Sequence, residues 1–187
     1  IVYSMLEDRN GTIWISTNKG ISRFNPRSGE FRNYNALDGL QSNEFNGGAY
    51  FQSSSGEMFF GGINGFNALF PENVIGNRFV PQVYITDFKL FNKSLPITEQ
   101  GPLRRHISET AEIELSYSDN IFSIEFVALN FTVPEKNRYK YMLEGVDRSW
   151  IVTDAGHRSI PYRNLAPGRY VFTVMGANNH GVWNRRP

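Results

Sequence analysis

The sequence contains no cysteine, which excludes a disulfide framework and any thiolate metal site. That absence suits a reducing cytosol and a bacterial envelope equally, so it decides no compartment. Histidine is scarce: His106, His157 and His180 share no His-x-x-x-His spacing, and no carboxylate stands at metal-ligand spacing from them. Charge of neither sign prevails, since 19 Lys and Arg against 18 Asp and Glu leave a net +1. No overall field therefore draws the chain to nucleic acid, an anionic membrane or an acidic partner. No apolar run approaches the roughly 18 residues of a spanning helix, and no leader of the secretory type is visible. Nucleophile elbows, phosphate loops and dinucleotide fingerprints are also missing. The glycine-rich stretches NGGAYF and FGGING carry no following helix that could cradle a phosphate. No catalytic residue, metal ligand or cofactor is expected, and no ligand-binding residue is assigned.

Aromatics and glycine are abundant: 15 Phe, 9 Tyr, 3 Trp and 17 Gly in 187 residues. Few apolar residues recur at helical spacing, so the expected fold class is all-β. The length allows one large domain or two small ones with real cores. The first residues, IVYSMLED, already alternate like a strand, and the chain is expected to be a piece of a longer protein.

The first part repeats itself. NGTIWISTNKGISRFNP (Asn10 to Pro26) returns as SGEMFFGGINGFNALFP (Ser55 to Pro71), with Gly11 on Gly56, Trp14 on Phe59, Gly20 on Gly65 and Pro26 on Pro71 without a gap. Each unit resolves into short strands. YSMLED alternates, Asn10-Gly11 predicts a type I′ hairpin turn, TIWIST alternates again with Ile13 and Ile15 on one side, and ISRFNP and FRNYN follow. A period of roughly 40–50 residues with four strands is that of a propeller blade. The expectation is about two terminal blades over 1–78, in units of about 1–45 and 46–78. A blade cannot bury both faces alone, so further blades are expected before residue 1.

Several residues admit a chemical and a structural reading. In NALDGLQSNEFNGG, Asn43, Glu44 and Phe45 could face a ligand, or Asp38-Gly39 could make a turn with Asn43 satisfying backbone. Glu7-Asp8 could pose as the paired carboxylates of a glycosidase, but neighbours along a strand point to opposite faces. Arg104, Arg105 and His106 form a small basic cluster on an irregular connector. Three Asn-x-Ser/Thr sequons, at Asn10, Asn92 and Asn130, would matter only in a eukaryotic secretory protein.

From about Phe79 the repeat gives way to a new pattern. Strands are expected at Val83–Phe91, Ala111–Tyr117, Ile121–Leu129, Tyr139–Val146, Ser159–Tyr162 and Arg169–Ala177, with turn signals between them. In IFSIEFVALNF, Phe122, Ile124, Phe126 and Ala128 share one face, opposite Ser123 and Glu125; in YKYMLEGV, Tyr139, Tyr141 and Leu143 do the same opposite Lys140 and Met142. Short alternating strands at this spacing predict an immunoglobulin-like β-sandwich over 79–187.

Both parts resemble known families. Glu7, Asp8, Gly11, Trp14, Thr17, Gly20, Phe24, Asn25 and Pro26 match the pattern of the regulator-type propellers of two-component sensors, while Ser53 and Phe59 depart from it in the second unit. The stretch from YSDNIF to GVW is similar throughout to the Y_Y_Y domain, with Tyr139, Tyr141, Trp150, Tyr162, Asn164, Leu165, Gly168 and Tyr170 on its signature positions. Those eight are expected to be structural. In that family a further strand follows GVW, so the sandwich is expected to lack its last strand and to present an unpaired edge to another chain.

The resemblance implies the periplasmic part of an inner-membrane hybrid two-component histidine kinase. It implies an oligosaccharide ligand for the complete propeller, homodimerisation through the sandwich, no nucleic acid and no catalysis by this piece. Two rivals stand beside it: an accessory part of an extracellular polysaccharide-degrading propeller enzyme, and a non-sensing adhesion or scaffold module.

Overall fold

The computed structural model describes residues 1–185, packed as two units: Ile1–Gly76 and the residues from Asn77 onward. The first unit holds two antiparallel sheets. The leading one runs β1 (Val2–Glu7), β2 (Ile13–Thr17), β3 (Gly20–Asn25) and β4 (Glu30–Tyr34) in chain order, and the next runs β5 (Phe45–Gln52), β6 (Met58–Gly62) and β7 (Gly65–Leu69). Chain-order meanders of this kind are propeller blades, as the repeat predicts.

The two blades stack by unlike faces. Trp14, Ile21 and Tyr34 of the first pack with Phe45, Met58 and Phe60 of the second in one buried cluster, with the Trp14 and Tyr34 rings stacked at 6.0 Å between centroids. Met58 and Phe60 are the repeat counterparts of Ile13 and Ile15, not of Trp14. The Trp14 face of one blade thus meets the Ile13-type face of the next. The Trp14 counterpart, Phe59, lies on the opposite face of β6, ringed by Phe51 and Phe66, both largely exposed. Burying side chains of this size stabilises by about 1.5–3 kcal/mol each, which makes the inter-blade seam the main support of this unit.

The β1–β2 hairpin departs from the expected type I′ turn. Gly11 has φ 77°, but Asn10 does not share the left-handed region. The loop is one residue longer: Asp8 N–H donates to Thr12 O and Gly11 N–H donates to Asp8 O, leaving only the last loop residue in need of glycine. The second repeat copies it, with Ser53 N–H to Glu57 O and Gly56 N–H to Ser53 O. Gly20, by contrast, is required sterically: a Cβ there would fall 1.9 Å from Tyr34 O.

The second unit is a two-sheet sandwich. One sheet orders β13 (Ser159–Arg163), β10 (Ile121–Ala128), β8 (Val83–Leu90) and β9 (Lys93–Ser94); the other orders β12 (Ile151–Asp154), β11 (Arg138–Glu144) and β14 (Val171–Ala177). The inward residues of β10 and β11 are those the alternation predicts. Phe126, Ala128, Tyr139 and Leu143 are buried with Ile160, Tyr162 and Val174, and Ile124 joins a second cluster with Phe88, Leu103 and Ile107. At Gly176 the sheets pack too closely for a side chain, since a Cβ there would lie 2.7 Å from Val83 Cγ2 and 3.0 Å from the Ala128 methyl.

The strand expectations need correction at several points, among them the strand expected from Arg169, which begins at Val171. Ala111–Tyr117 forms no strand; Ile113 and Leu115 still pack against the cluster of Phe88, Leu103, Ile107 and Ile124, so their alternation reports burial without a ladder. Conversely β12 was not foreseen, because Ile151–Asp154 has only four residues and most of them are exposed. The expected Tyr139–Val146 strand stops at Glu144, where Gly145 turns into the left-handed region with φ 90°. At the other end of the sheet, Trp183 bridges to Ala177 and Asn184 N–H donates to Gly176 O, so pairing begins along the outer edge of β14. The missing-strand expectation otherwise lies outside the described residues.

Candidate functional site

In the blades, Asp8 and Thr17 are spent on structure. Asp8 is buried and its carboxylate accepts three hydrogen bonds: Oδ1 from Asn10 N–H at 2.9 Å and Thr12 N–H at 3.0 Å, Oδ2 from the Trp14 indole N–H at 3.0 Å. Glu7 is exposed on the other side of the strand. The two do not flank a common space, as strand geometry requires. Thr17 closes the next turn by donating its hydroxyl to Gly20 O while accepting Lys19 N–H.

The loop between the blades takes the structural reading at two of its three candidates. Asn35 caps a 3₁₀ turn over Ala36–Asp38, whose Asp38 side chain accepts Asn35 N–H in return, and Gly39 ends it with φ 95°. Asn43 Oδ1 accepts Ala36 N–H at 2.8 Å and Asn43 O accepts Gly20 N–H at 2.6 Å, so this residue ties the loop to the preceding blade. Phe45 is 1% exposed in the inter-blade core. Glu44 remains exposed, with Tyr3 donating its hydroxyl to it at 3.4 Å.

In the sandwich, the signature tyrosines are pinned individually. Tyr139 is fully buried and its hydroxyl oxygen accepts Ala128 N–H at 3.1 Å, linking the two sheets. Tyr162 donates to Asp147 Oδ2 at 3.1 Å, and the same oxygen accepts Leu143 N–H at 2.7 Å. Burial, then the Asp147 charge, pushes the Tyr162 hydroxyl far above the usual tyrosine range, and the same two causes raise Tyr141. Tyr170 donates to Ala166 O four residues back at 2.8 Å, the geometry of a tyrosine corner. Asn164 occupies the left-handed region with φ 53°, which asparagine tolerates better than most residues, and Leu165 packs against the core.

The two outer faces of the sandwich differ. On the β8–β10 sheet, Lys89 pairs with Glu125 and lies 3.8 Å from Asp87. The Glu125 hydrogen bond raises its pKa. On the β12–β11–β14 sheet, Lys140 holds its ammonium 5.2 Å from the Trp150 ring centre and 5.1 Å from that of Trp183, a cation held between two indoles. Trp150 is thereby placed as a surface clamp, a role that spacing alone could not reveal. A groove of about 540 Å³ opens elsewhere on this unit, lined by Phe79, Gln82, Leu129, Asn130, Phe131 and Thr132.

The remaining candidates are dispersed. Arg104 and Arg105 are exposed, while His106 caps a short 3₁₀ turn by accepting Ser108 N–H. His157 bonds Asp154 at 2.8 Å on the surface, and His180 accepts Asn77 N–H. Among the described residues no three His, Asp or Glu side chains come together as a metal site, and no helix is long and apolar enough to cross a membrane. Asn130, one of the sequons, is 3% exposed and hydrogen-bonded to Asn137.

Propeller-type blades followed by a two-sheet sandwich, with polar side chains committed to turns and seams, define the architecture of the chain. Comparison with known proteins shows what shares it. The family model of the two component regulator propeller matches residues 1–19, and that of the Y_Y_Y domain matches residues 130–187. Histidine kinase P4 of Formosa agariphila is 36% identical over all 187 residues, which cover 14% of its length. The extracellular domain assigned to a hybrid two component system of B. thetaiotaomicron is 28% identical with a TM-score of 0.78, over 98% of this chain and 25% of that one. A second extracellular domain from B. thetaiotaomicron, at 24% identity and a TM-score of 0.53, shares the fold. The chain is thus similar to the regulator-propeller model over its first residues, to the Y_Y_Y model over its last third, and to an extracellular domain of a hybrid two component system across both units, and it spans about a seventh of the length of the curated relative it matches.

Proposed function

We propose that the chain serves the periplasmic sensor region of a hybrid two-component histidine kinase anchored in the inner membrane. In this reading, 1–78 belong to a propeller that takes up an oligosaccharide, and 79–187 form the sandwich that passes the bound state on. The sandwich is also the element through which two copies associate. The observation that supports it most is the 28% identity to a hybrid-system extracellular domain across both units of the chain at a TM-score of 0.78. No catalytic step is assigned to the chain. Its carboxylates Asp8, Asp38 and Asp147 each accept backbone N–H donors, which is a structural duty.

A relay requires that ligand bind two arrangements of the receptor unequally; equal affinity shifts nothing. Calorimetric titration of the complete extracellular region against a panel of oligosaccharides tests the reading. Saturable heat with one saccharide class, together with weak heat from the 187-residue chain, is the expected result. A complete region that binds none of the panel, or that turns one of them over, would overturn it.

A further inference from the structure

One loop of the sandwich grips both the segment that enters this unit and the segment that follows its last strand. On the incoming side, Asn178 Nδ2 donates to Asn77 O at 2.9 Å and Phe79 O at 2.7 Å. Asn179 Oδ1 accepts Asn77 Nδ2–H at 2.9 Å, and His180 Nδ1 accepts Asn77 N–H. On the outgoing side, Asn178 Oδ1 accepts His180 N–H at 2.8 Å and Val182 N–H at 3.0 Å. The turn then delivers Trp183 to its bridge with Ala177, and Asn184 Oδ1 accepts Gly176 N–H at 2.8 Å.

Asn178 is central to both sides. It is 0% exposed, and both amide hydrogens and both oxygen lone pairs are engaged. The nitrogen end of one rigid amide holds the entry, and its oxygen end holds the return turn. If Asn77 and Phe79 move, the amide must follow or leave buried donors unpaired. Following them displaces the N–H groups of His180 and Val182, and so the approach to Trp183.

We propose that Asn178 couples the entry segment Asn77–Phe79 to the exit segment Trp183–Asn184, so that a displacement of either reaches the other without crossing the hydrophobic core. The biological use of this link rests on the relay reading above; the link itself needs no ligand to be measured. It differs from simple anchoring because coupling between two sites is reciprocal.

Amide hydrogen exchange on the 187-residue chain reads it directly. Asn77→Ala removes the entry's side-chain hydrogen bonds to Asn130 and Asn179 while leaving the Asn77 and Phe79 carbonyls to Asn178, and the loosened entry should speed exchange of the Gly176 and Val182 amides by roughly 10-fold. Asn184→Ala removes an acceptor at the exit only, and should speed the Asn77 amide by a similar factor. The Leu143 amide, held by Asp147 in β11, should not change in either. Asn178→Asp keeps the shape but cannot donate to Asn77 and Phe79; it should free the entry and abolish the reciprocal effects. If each substitution speeds only its own segment and the double variant is additive, the coupling does not exist. Should Asn178→Asp fail to fold, Asn179→Ala combined with Asn77→Ala decides: reciprocal effects that persist without the Asn179 link support the Asn178 route, and their loss overturns it. A negative result here leaves the oligosaccharide reading intact, because calorimetry tests that separately.

Discussion

Trp14 donates its indole N–H to Asp8 Oδ2 across 3.0 Å, and both residues are buried. In the second repeat the two positions have changed together, to Ser53 and Phe59. The pairing explains why. Phenylalanine has no N–H to satisfy, and Ser53 Oγ still accepts Glu57 N–H at 3.0 Å, the counterpart of Thr12 N–H on Asp8. The acid is needed where the indole is, and a hydroxyl suffices for the turn.

That relationship sets the first prediction. Asp8→Ala strands the indole N–H and two backbone N–H groups, and should destabilise the blades by on the order of 3 kcal/mol. Asp8→Ser combined with Trp14→Phe should cost less than the sum of the two single changes, because the double variant reproduces the second repeat. A double-mutant cycle by urea unfolding measures the difference. Strict additivity would show that the acid and the indole are independent.

The repeat spacing revealed the blades and their turns, because glycine and the closing proline mark backbone geometry directly. It could not say which face of each strand is covered. Trp14 and Phe59 align in sequence, yet one is 1% exposed and the other is backed by the exposed Phe51 and Phe66. Blades stack by unlike faces, so equivalent residues in neighbouring blades meet different surroundings. In the sandwich, alternation placed Phe126, Tyr139 and Leu143 inside, since period two is the signature of a half-buried strand. The same signal misplaced Ala111–Tyr117, where burial of Ile113 and Leu115 comes without a ladder. The asparagine links of Asn77, Asn178 and Asn184 were not legible at all. The link between Asn77 and Asn178 joins residues 101 positions apart, and asparagine reads locally as a turn residue.

The β8–β9 hairpin carries the second prediction. Its two-residue loop, Phe91-Asn92, has φ of 49° and 63°, the two left-handed residues of a type I′ turn. Asparagine suits that position, but a Phe side chain is strained there, and Phe91 is 50% exposed, so packing offsets little of the strain. Phe91→Gly should therefore stabilise the sandwich by about 0.5–1 kcal/mol, despite removing a large apolar side chain. Thermal unfolding checks the sign. A lower Tm for the glycine variant would mean that the ring contributes contacts outweighing the backbone strain.

The last prediction concerns Tyr162 and Asp147. The folded protein holds the Tyr162 hydroxyl protonated well beyond its ordinary value of 10.0, through burial first, then the charge and hydrogen bond of Asp147. Tyr141 is raised in the same direction by burial and by Asp147. A folded-state value above the unfolded one means that the unfolded chain releases its proton first as pH rises. The contribution is therefore complete below about pH 10 and is lost above it, at up to about 1.4 kcal/mol per pH unit for each such group. Tyr162→Phe removes one of these groups, and also costs about 1 kcal/mol at neutral pH through the lost hydrogen bond to Asp147. Urea midpoints measured from pH 8 to 11.5 should fall steeply above pH 10 in the parent chain and less steeply in the variant. Parallel curves for the two proteins would show that Tyr162 ionises in the folded state as readily as in the unfolded one, contrary to its burial beside a carboxylate.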